Sequence, residues 1–217
     1  MPLAIFDLDN TLIAGDSDHL WGEHLVQLGV VDGDAYRAAN DRFYADYRAG
    51  RLDIDAFLRF ALRPLRDHAV DDLLRWRAEF VSRRIEPVLL PAAHRLIDRH
   101  RERGDTPLII TATNAFVTAP IAARYGIEHL IATEPEMRDG RYTGAVAGVP
   151  AFRHGKVERL QDWLRAHGKT LAGSHFYSDS INDLPLLERV DHPIAVDPDP
   201  ALQDLASSRG WPIISLR

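Results

Sequence analysis

The 217-residue chain contains no cysteine, so disulfides and thiolate metal centres are excluded, and the composition fits a reducing compartment with the cytoplasm as the expected location. It also lacks a surplus of basic charge. The 26 Lys and Arg against 32 Asp and Glu give a formal charge of −6, leaving no global positive field to gather nucleic acid or anionic lipid. Long apolar runs are missing too. None approaches the ~20 residues of a membrane span, and Asp7 interrupts the N-terminus before a signal-peptide core could form. What remains is an ordinary folded composition, 46% hydrophobic and 27% charged, long enough for one large domain or for a core carrying a smaller one.

Leu3 to Phe6 is a short apolar run that stops abruptly at Asp7, as a parallel strand buried on both faces would. Two later runs behave alike: Pro107 to Ile110 ends at Thr111, and Ser174 to Ser178 ends at Asp179. Helical patterns at 91–103, 116–125 and 156–167 alternate with them, each closed by a glycine. A short helix is expected at 182–187, and Ile194 to Val196 and Ile213-Ile214 are two further candidate strands. This alternation predicts an α/β fold with a doubly wound, Rossmann-like parallel sheet.

From about Asp16 to Glu86 the rhythm breaks, because ~70 residues pass without a buried strand, far beyond an ordinary loop. Apolar residues recur there at helical spacing, around Leu20 to Leu28, Phe57 to Leu65 and Leu73 to Phe80. The expected organisation is therefore a core of residues 1–15 and 87–217, with 16–86 forming a small helical cap inserted after the first strand. A shorter interruption, Met137 to Gly144, carries the Asp-Gly signal of a hairpin.

In open α/β sheets ligands collect outside the carboxyl ends of the strands, so Asp7, Asp9, Thr111 and Asp179 should meet there. Several carboxylates in one crevice repel one another, and a bound cation is the simplest means of keeping them ionised. With oxygen ligands and no thiols, Mg2+ is the expected ion. Taken singly the motifs have plainer readings. Asp-Leu-Asp-Asn-Thr is also a turn and helix cap, Asn182-Asp183 also a cap, and Lys156 also a surface lysine. Lys156 nevertheless lies at a helix start, against the helix dipole, and could neutralise a transferring phosphoryl group.

Together, Phe6-Asp7-Leu8-Asp9-Asn10-Thr11-Leu12, Ile110-Thr111-Ala112-Thr113, Lys156 and Ser178-Asp179-Ser180-Ile181-Asn182-Asp183 resemble the four ordered motifs of the haloacid dehalogenase-like superfamily. The cap between the first and second motifs resembles its phosphoserine-phosphatase-like branch. The resemblance implies a magnesium-dependent phosphomonoesterase acting on a small phosphorylated metabolite. Asp7 would be the nucleophile, Asp9 the acid and then the base, and Asp7, the Asp9 carbonyl, Asp179 and Asp183 would serve the metal. Thr111, with Ala112 beside it, and Lys156 would hold the phosphoryl oxygens, with Asn182 contacting phosphate or orienting its neighbours.

Asp16, where the cap begins, would by the same resemblance bind a substrate ammonium; as a residue it reads equally as a turn position. The second motif lacks the Ser-Gly-Gly of phosphoserine phosphatases, and Ser178 and Ser180 replace the glycines of Gly-Asp-Gly. Histidinol phosphate, an amine without a carboxylate, therefore competes with phosphoserine. Arg48 or Arg51 could bind a carboxylate, whereas His24, Trp21 and Phe43 read chiefly as packing residues. A phosphotransferase or phosphomutase would use the same residues, and a receiver-like phosphoaspartate module is the non-catalytic rival. Oligomeric state is not legible.

Overall fold

The computed structural model describes residues 1–217. Six strands form one parallel sheet: β1 (Leu3–Phe6), β2 (Thr106–Asn114), β3 (His129–Thr133), β6 (His175–Ser178), β7 (His192–Val196) and β8 (Ile213–Ile214). Two more, β4 (Pro135–Arg138) and β5 (Arg141–Val146), make a separate antiparallel hairpin. The sheet order is β3-β2-β1-β6-β7-β8, so the chain winds one way from β1 and the other way from β6. That reversal opens a crevice beside the carboxyl ends of β1 and β6, the usual ligand position in such sheets.

Alternate residues of each strand feed different faces, as a period of two requires. Ala4, Phe6, Ile109, Tyr177, Ile194 and Val196 join one core cluster, while Leu3, Ile5, Leu108, Ile110, Phe176 and Ala195 join the other. The first cluster packs beneath α6 (Pro91–Glu102) and α7 (Ala115–Arg124); the second beneath α8 (His154–His167), α9 (Leu184–Leu187) and α10 (Pro200–Arg209). The strands can be continuously apolar because both faces are covered.

Between β1 and α6 lie five helices: α1 (Ser17–Gln27), α2 (Gly33–Arg48), α3 (Ile54–Ala61), α4 (Arg63–Asp67) and α5 (Val70–Phe80), followed by a π-helical turn at Val81–Ile85. The chain leaves and returns at one place: Ile13 bridges Leu89 in antiparallel fashion, and Ala14 N–H donates to the Val88 carbonyl at 2.8 Å. Trp21 and Phe80 of this segment pack edge to face at 5.2 Å and join the first core cluster. Helices α1 and α2 approach closely at Gly22, where a Cβ would lie 2.7 Å from Asn40 Nδ2.

Most expected elements are present, with two corrections. The second strand runs through Asn114, so Thr111 to Thr113 belong to the strand and do not follow it. Three elements were not among the expected ones: α2, β3 and α10. The Asp-Gly hairpin signal is fulfilled by Asp139 (φ 49°) and Gly140 (φ 75°), the paired positive angles of a type I′ turn. No helix is long and apolar enough to cross a membrane.

Candidate active site

β1 ends at Phe6 and delivers Asp7 to the crevice, held by its own N–H to the Tyr177 carbonyl at 2.8 Å. The chain then coils: the Leu8 carbonyl accepts N–H groups from Thr11, Leu12 and Ile13, and Asn10 adopts φ 56°. That left-handed angle is one asparagine tolerates better than most residues. The turn sets Asp9 beside Asp7.

Lys156 reaches the same point from the first turn of α8 and is 2% exposed, so the surface-lysine alternative is overturned. Its Nζ lies 2.8 Å from Asp7 Oδ1 and 2.7 Å from Asp183 Oδ1. The adjoining Gly155 is needed for this entry, since a Cβ there would collide with the Pro150 carbonyl oxygen. Burial alone would lower the Lys156 pKa, but the Asp183 and Asp7 carboxylates override it and hold the ammonium charged.

Asp7 keeps one oxygen, Oδ2, buried and without a hydrogen-bond partner. Burial raises its carboxyl to about 7, opposed by Lys156 and reinforced by Asp183 and Asp9. Asp179, at the end of β6, is also raised by burial and by the Asp7 and Asp183 charges. It is fixed by Thr11, whose hydroxyl donates to Asp179 Oδ1 at 3.3 Å and accepts from Asp179 N–H at 3.1 Å. One lysine thus faces three buried carboxylates. Surplus negative charge, an orphaned Asp7 oxygen and hard oxygen donors fit a magnesium ion. Asp183 is committed through both oxygens, to Lys156 and to the Ser178 hydroxyl at 2.7 Å, and so stands behind Asp7 and Asp179.

Asp9 has a different setting. Ser17 N–H donates to Oδ1 at 2.6 Å, the Thr113 hydroxyl to Oδ2 at 2.8 Å and the Thr111 hydroxyl to Oδ2 at 3.3 Å. Burial and the charge of Asp16 raise its carboxyl to about 6, against these donors. An acid poised there can give and recover a proton near neutral pH. Thr113 and Ser17 were not expected as positioning residues; Thr113 lies in the quoted second motif, but a threonine in a strand is unremarkable.

Asp16 caps α1 through its bond from His19 N–H at 2.8 Å and faces the pocket over Asp7 and Asp9. Enclosure raises its carboxyl to about 6. The same pocket is lined by Asp18, Thr111, Ala112 and the aromatic rings of Phe43, Tyr44, Tyr47 and Phe57, with no lysine or arginine among its walls. Phe43 is thus a wall of the pocket as well as a packing residue. Arg48 opens onto a neighbouring cleft with Asp179 and Ser180, and the exposed Arg51 pairs with the half-buried Asp46, so neither arginine lines the pocket. His24 is a satisfied structural histidine, bonded from Nε2 to the Trp76 carbonyl at 3.1 Å.

Asn182 is tied to the insertion. Its Nδ2 donates to the Tyr47 carbonyl at 3.1 Å, and its Oδ1 accepts from Arg153 Nη2 at 3.0 Å. Arg153 also donates to the Gly50 carbonyl at 2.6 Å, and it holds φ 50°. Nothing in the residue pattern marked Arg153.

Asp7 and Asp9 at the end of β1, the buried Lys156 and Asp179 after β6 thus meet in one crevice beneath the helical insertion. The family model for haloacid dehalogenase-like hydrolases matches residues 4–188; the chain belongs to that family and is a phosphatase within it. It is 45% identical over 219 aligned residues, covering 99% of both chains, to a Neisseria meningitidis serogroup C (strain 8013) protein named histidinol-phosphatase. It is 31% identical, across 99% of this chain and 70% of the other, to a phosphoserine phosphatase of Mycobacterium tuberculosis. A crystal structure of a protein of unknown function from Bordetella pertussis Tohama I matches with TM-score 0.94 and 45% identity, covering 100% and 99% of the two chains. A phosphoserine phosphatase carrying a phospho-aspartyl intermediate analogue shares the fold, with TM-score 0.72 and 19% identity over 100% and 93%.

Proposed function

We propose that this phosphatase hydrolyses the phosphate monoester of a small amino alcohol, histidinol phosphate before phosphoserine, by way of a phosphoryl group carried on Asp7. One observation carries the reading: a buried, unpartnered Asp7 Oδ2 stands near an Asp9 whose carboxyl is raised to about 6. Asp7 Oδ2 attacks phosphorus, the bond to the leaving oxygen breaks, and Asp9 gives that oxygen its proton. Asp9 then takes a proton from water as the water oxygen attacks the same phosphorus. The bond to Asp7 breaks, phosphate leaves, and both carboxyl groups return to their starting states.

Lys156 Nζ, 2.8 Å from Asp7 Oδ1, is within reach of a phosphoryl oxygen attached to that residue. Thr111, Ala112 and Asn182 complete the phosphate contacts in this reading. Asp7, the Asp9 carbonyl and Asp179 would hold the magnesium, with Asp183 behind them. When bound, the ion supplies positive charge against the phosphoryl oxygens. Residues 16–86 act as the cap over a core of 1–15 and 87–217, excluding water and choosing the leaving group.

The pocket walls favour an amine over an amino acid. A phosphoserine carboxylate would lie among Asp9, Asp16 and Asp18 with no lysine or arginine in the walls to meet it, whereas an ammonium finds Asp16. The name of the 45% identical relative supports the same choice. The test is kcat/KM with magnesium for histidinol phosphate and phosphoserine side by side, with a preference of about 100-fold expected for the former. A preference for phosphoserine overturns the assignment. Asp7→Asn should lose turnover and keep its fold, and solvent oxygen in the released phosphate separates hydrolysis from transfer to another acceptor.

A further inference from the structure

Asp18 has no part in the chemistry above, yet it is 8% exposed, lines the pocket, and leaves Oδ2 buried without a hydrogen-bond partner. A carboxylate in that position is costly unless a cation or an N–H donor arrives to meet it. The pocket wall contains no lysine or arginine, and its Asn40 already spends Nδ2 on His19, at 3.1 Å from Nδ1 and 3.0 Å from the carbonyl oxygen. The neighbouring His19 is already engaged, its Nδ1 3.1 Å from Asn40 Nδ2 and its ring stacked on Tyr44 at 4.9 Å.

The two carboxylates of this region differ in their surroundings. Asp16 feels the charge of Asp7, whereas Asp18 feels Asp16 and Asp9 and in turn acts on Tyr36, farther into the insertion. Asp7, Asp16 and Asp18 all line one pocket, so a phosphate ester on Asp7 presents its leaving group to both of the other carboxylates. Phe43, Tyr44 and Phe57 wall the same space and suit a flat ring.

We infer that Asp18 is a second nitrogen-binding subsite, which accepts an N–H from a heteroaromatic or cationic group at the distal end of the leaving group. The inference rests on the amino-alcohol reading above and extends it: the site selects leaving groups with two nitrogen donors, an ammonium at Asp16 and a ring nitrogen at Asp18. An amine with no second donor leaves Asp18 unmatched and is the poorer ligand.

The experiment compares wild type and Asp18→Asn on histidinol phosphate, O-phosphoethanolamine and para-nitrophenyl phosphate, with magnesium present. The variant should lose about 10- to 100-fold in kcat/KM on histidinol phosphate, mostly through KM, and under about threefold on the other two. An equal loss on all three esters, or no loss on histidinol phosphate, overturns the inference. A second measurement needs no variant: histidinol should inhibit para-nitrophenyl phosphate hydrolysis at least about 10-fold more tightly than 2-amino-1-propanol, which lacks the ring. Equal inhibition by the two amino alcohols also overturns it. Wild-type failure on histidinol phosphate with normal para-nitrophenyl phosphate turnover instead sinks the substrate assignment, while the inhibition pair still decides the role of Asp18.

Discussion

Lys156 Nζ lies 2.8 Å from Asp7 Oδ1, although 149 residues separate them, and the same ammonium touches Asp183. The lysine therefore offsets part of the negative charge of the resting site before it meets any phosphate. Its removal leaves two buried carboxylates without their cation. Lys156→Ala should lower kcat at least about 100-fold and, with metal chelated, cost about 3–5 kcal/mol of stability. Steady-state kinetics and urea unfolding in EDTA measure the two effects, and an unchanged urea midpoint would contradict the pairing.

Thr113 donates to Asp9 Oδ2 at 2.8 Å and so favours the ionised form of that acid. In Thr113→Val the donor is gone, and the Asp9 carboxyl should rise further. The pH optimum of kcat should move upward, with kcat down about 10-fold at the original optimum and KM nearly unchanged. A uniform loss across pH would show that Thr113 only shapes the strand.

Metal and pH should act together on stability. Burial raises Asp7 to about 7 and Asp9 and Asp16 to about 6 from an ordinary value of 3.8. Between those values the folded chain holds protons that the unfolded chain has released, so the stability of the metal-free protein falls as pH rises from about 4 to 7. In the magnesium reading proposed above, the ion would bind the ionised site and oppose that fall, giving a larger gain in melting temperature at pH 7.5 than at pH 5. Thermal melts at both pH values, with EDTA and with magnesium, test it; equal gains would speak against carboxylate ligation.

Arg153 joins Asn182 to the Gly50 carbonyl while holding φ 50° and ψ −118°, an angle pair that strains any residue with a Cβ. Arg153→Ala loses the contacts and keeps the strain, whereas Arg153→Gly loses both. The glycine variant should therefore be the more stable of the two by about 1 kcal/mol or more, read by urea denaturation.

The legible parts of the fold were those in which burial writes a simple pattern. β1 and β6 are apolar runs ending in carboxylates, so strand, sheet edge and candidate site could be read together. α2 is harder to read because it buries only Tyr36 and Asn40, and its inward face of Tyr36, Asn40, Phe43, Tyr44 and Tyr47 is aromatic and polar with no aliphatic residue. β3 was too short an apolar run, Leu130 to Ala132, to stand out. Asp7, Asp9, Thr111 and Asp179 were readable as a constellation because the strand-end rule gathers them, and Lys156 joined them through its place at a helix start and the resemblance of its motif. Arg153 was not, since its role comes from a backbone angle. Nor was Asp18, whose orphaned oxygen exists only once α1 and α2 have packed around it.

Because Ile13 and Leu89 sit opposite one another, everything between them hangs from a single two-stranded stem. A tight turn of a few residues could join the stem directly and leave the sheet connected as before. Insertions of another length or shape could be grafted on the same stem without moving Asp7 or Lys156. Trp21 and Phe80 set the condition for such an exchange, since the apolar surface they cover would have to be covered again. The exchange would also have to restore the N–H that Ser17 gives to Asp9 Oδ1, so the core and the insertion share one hydrogen bond that any replacement must rebuild.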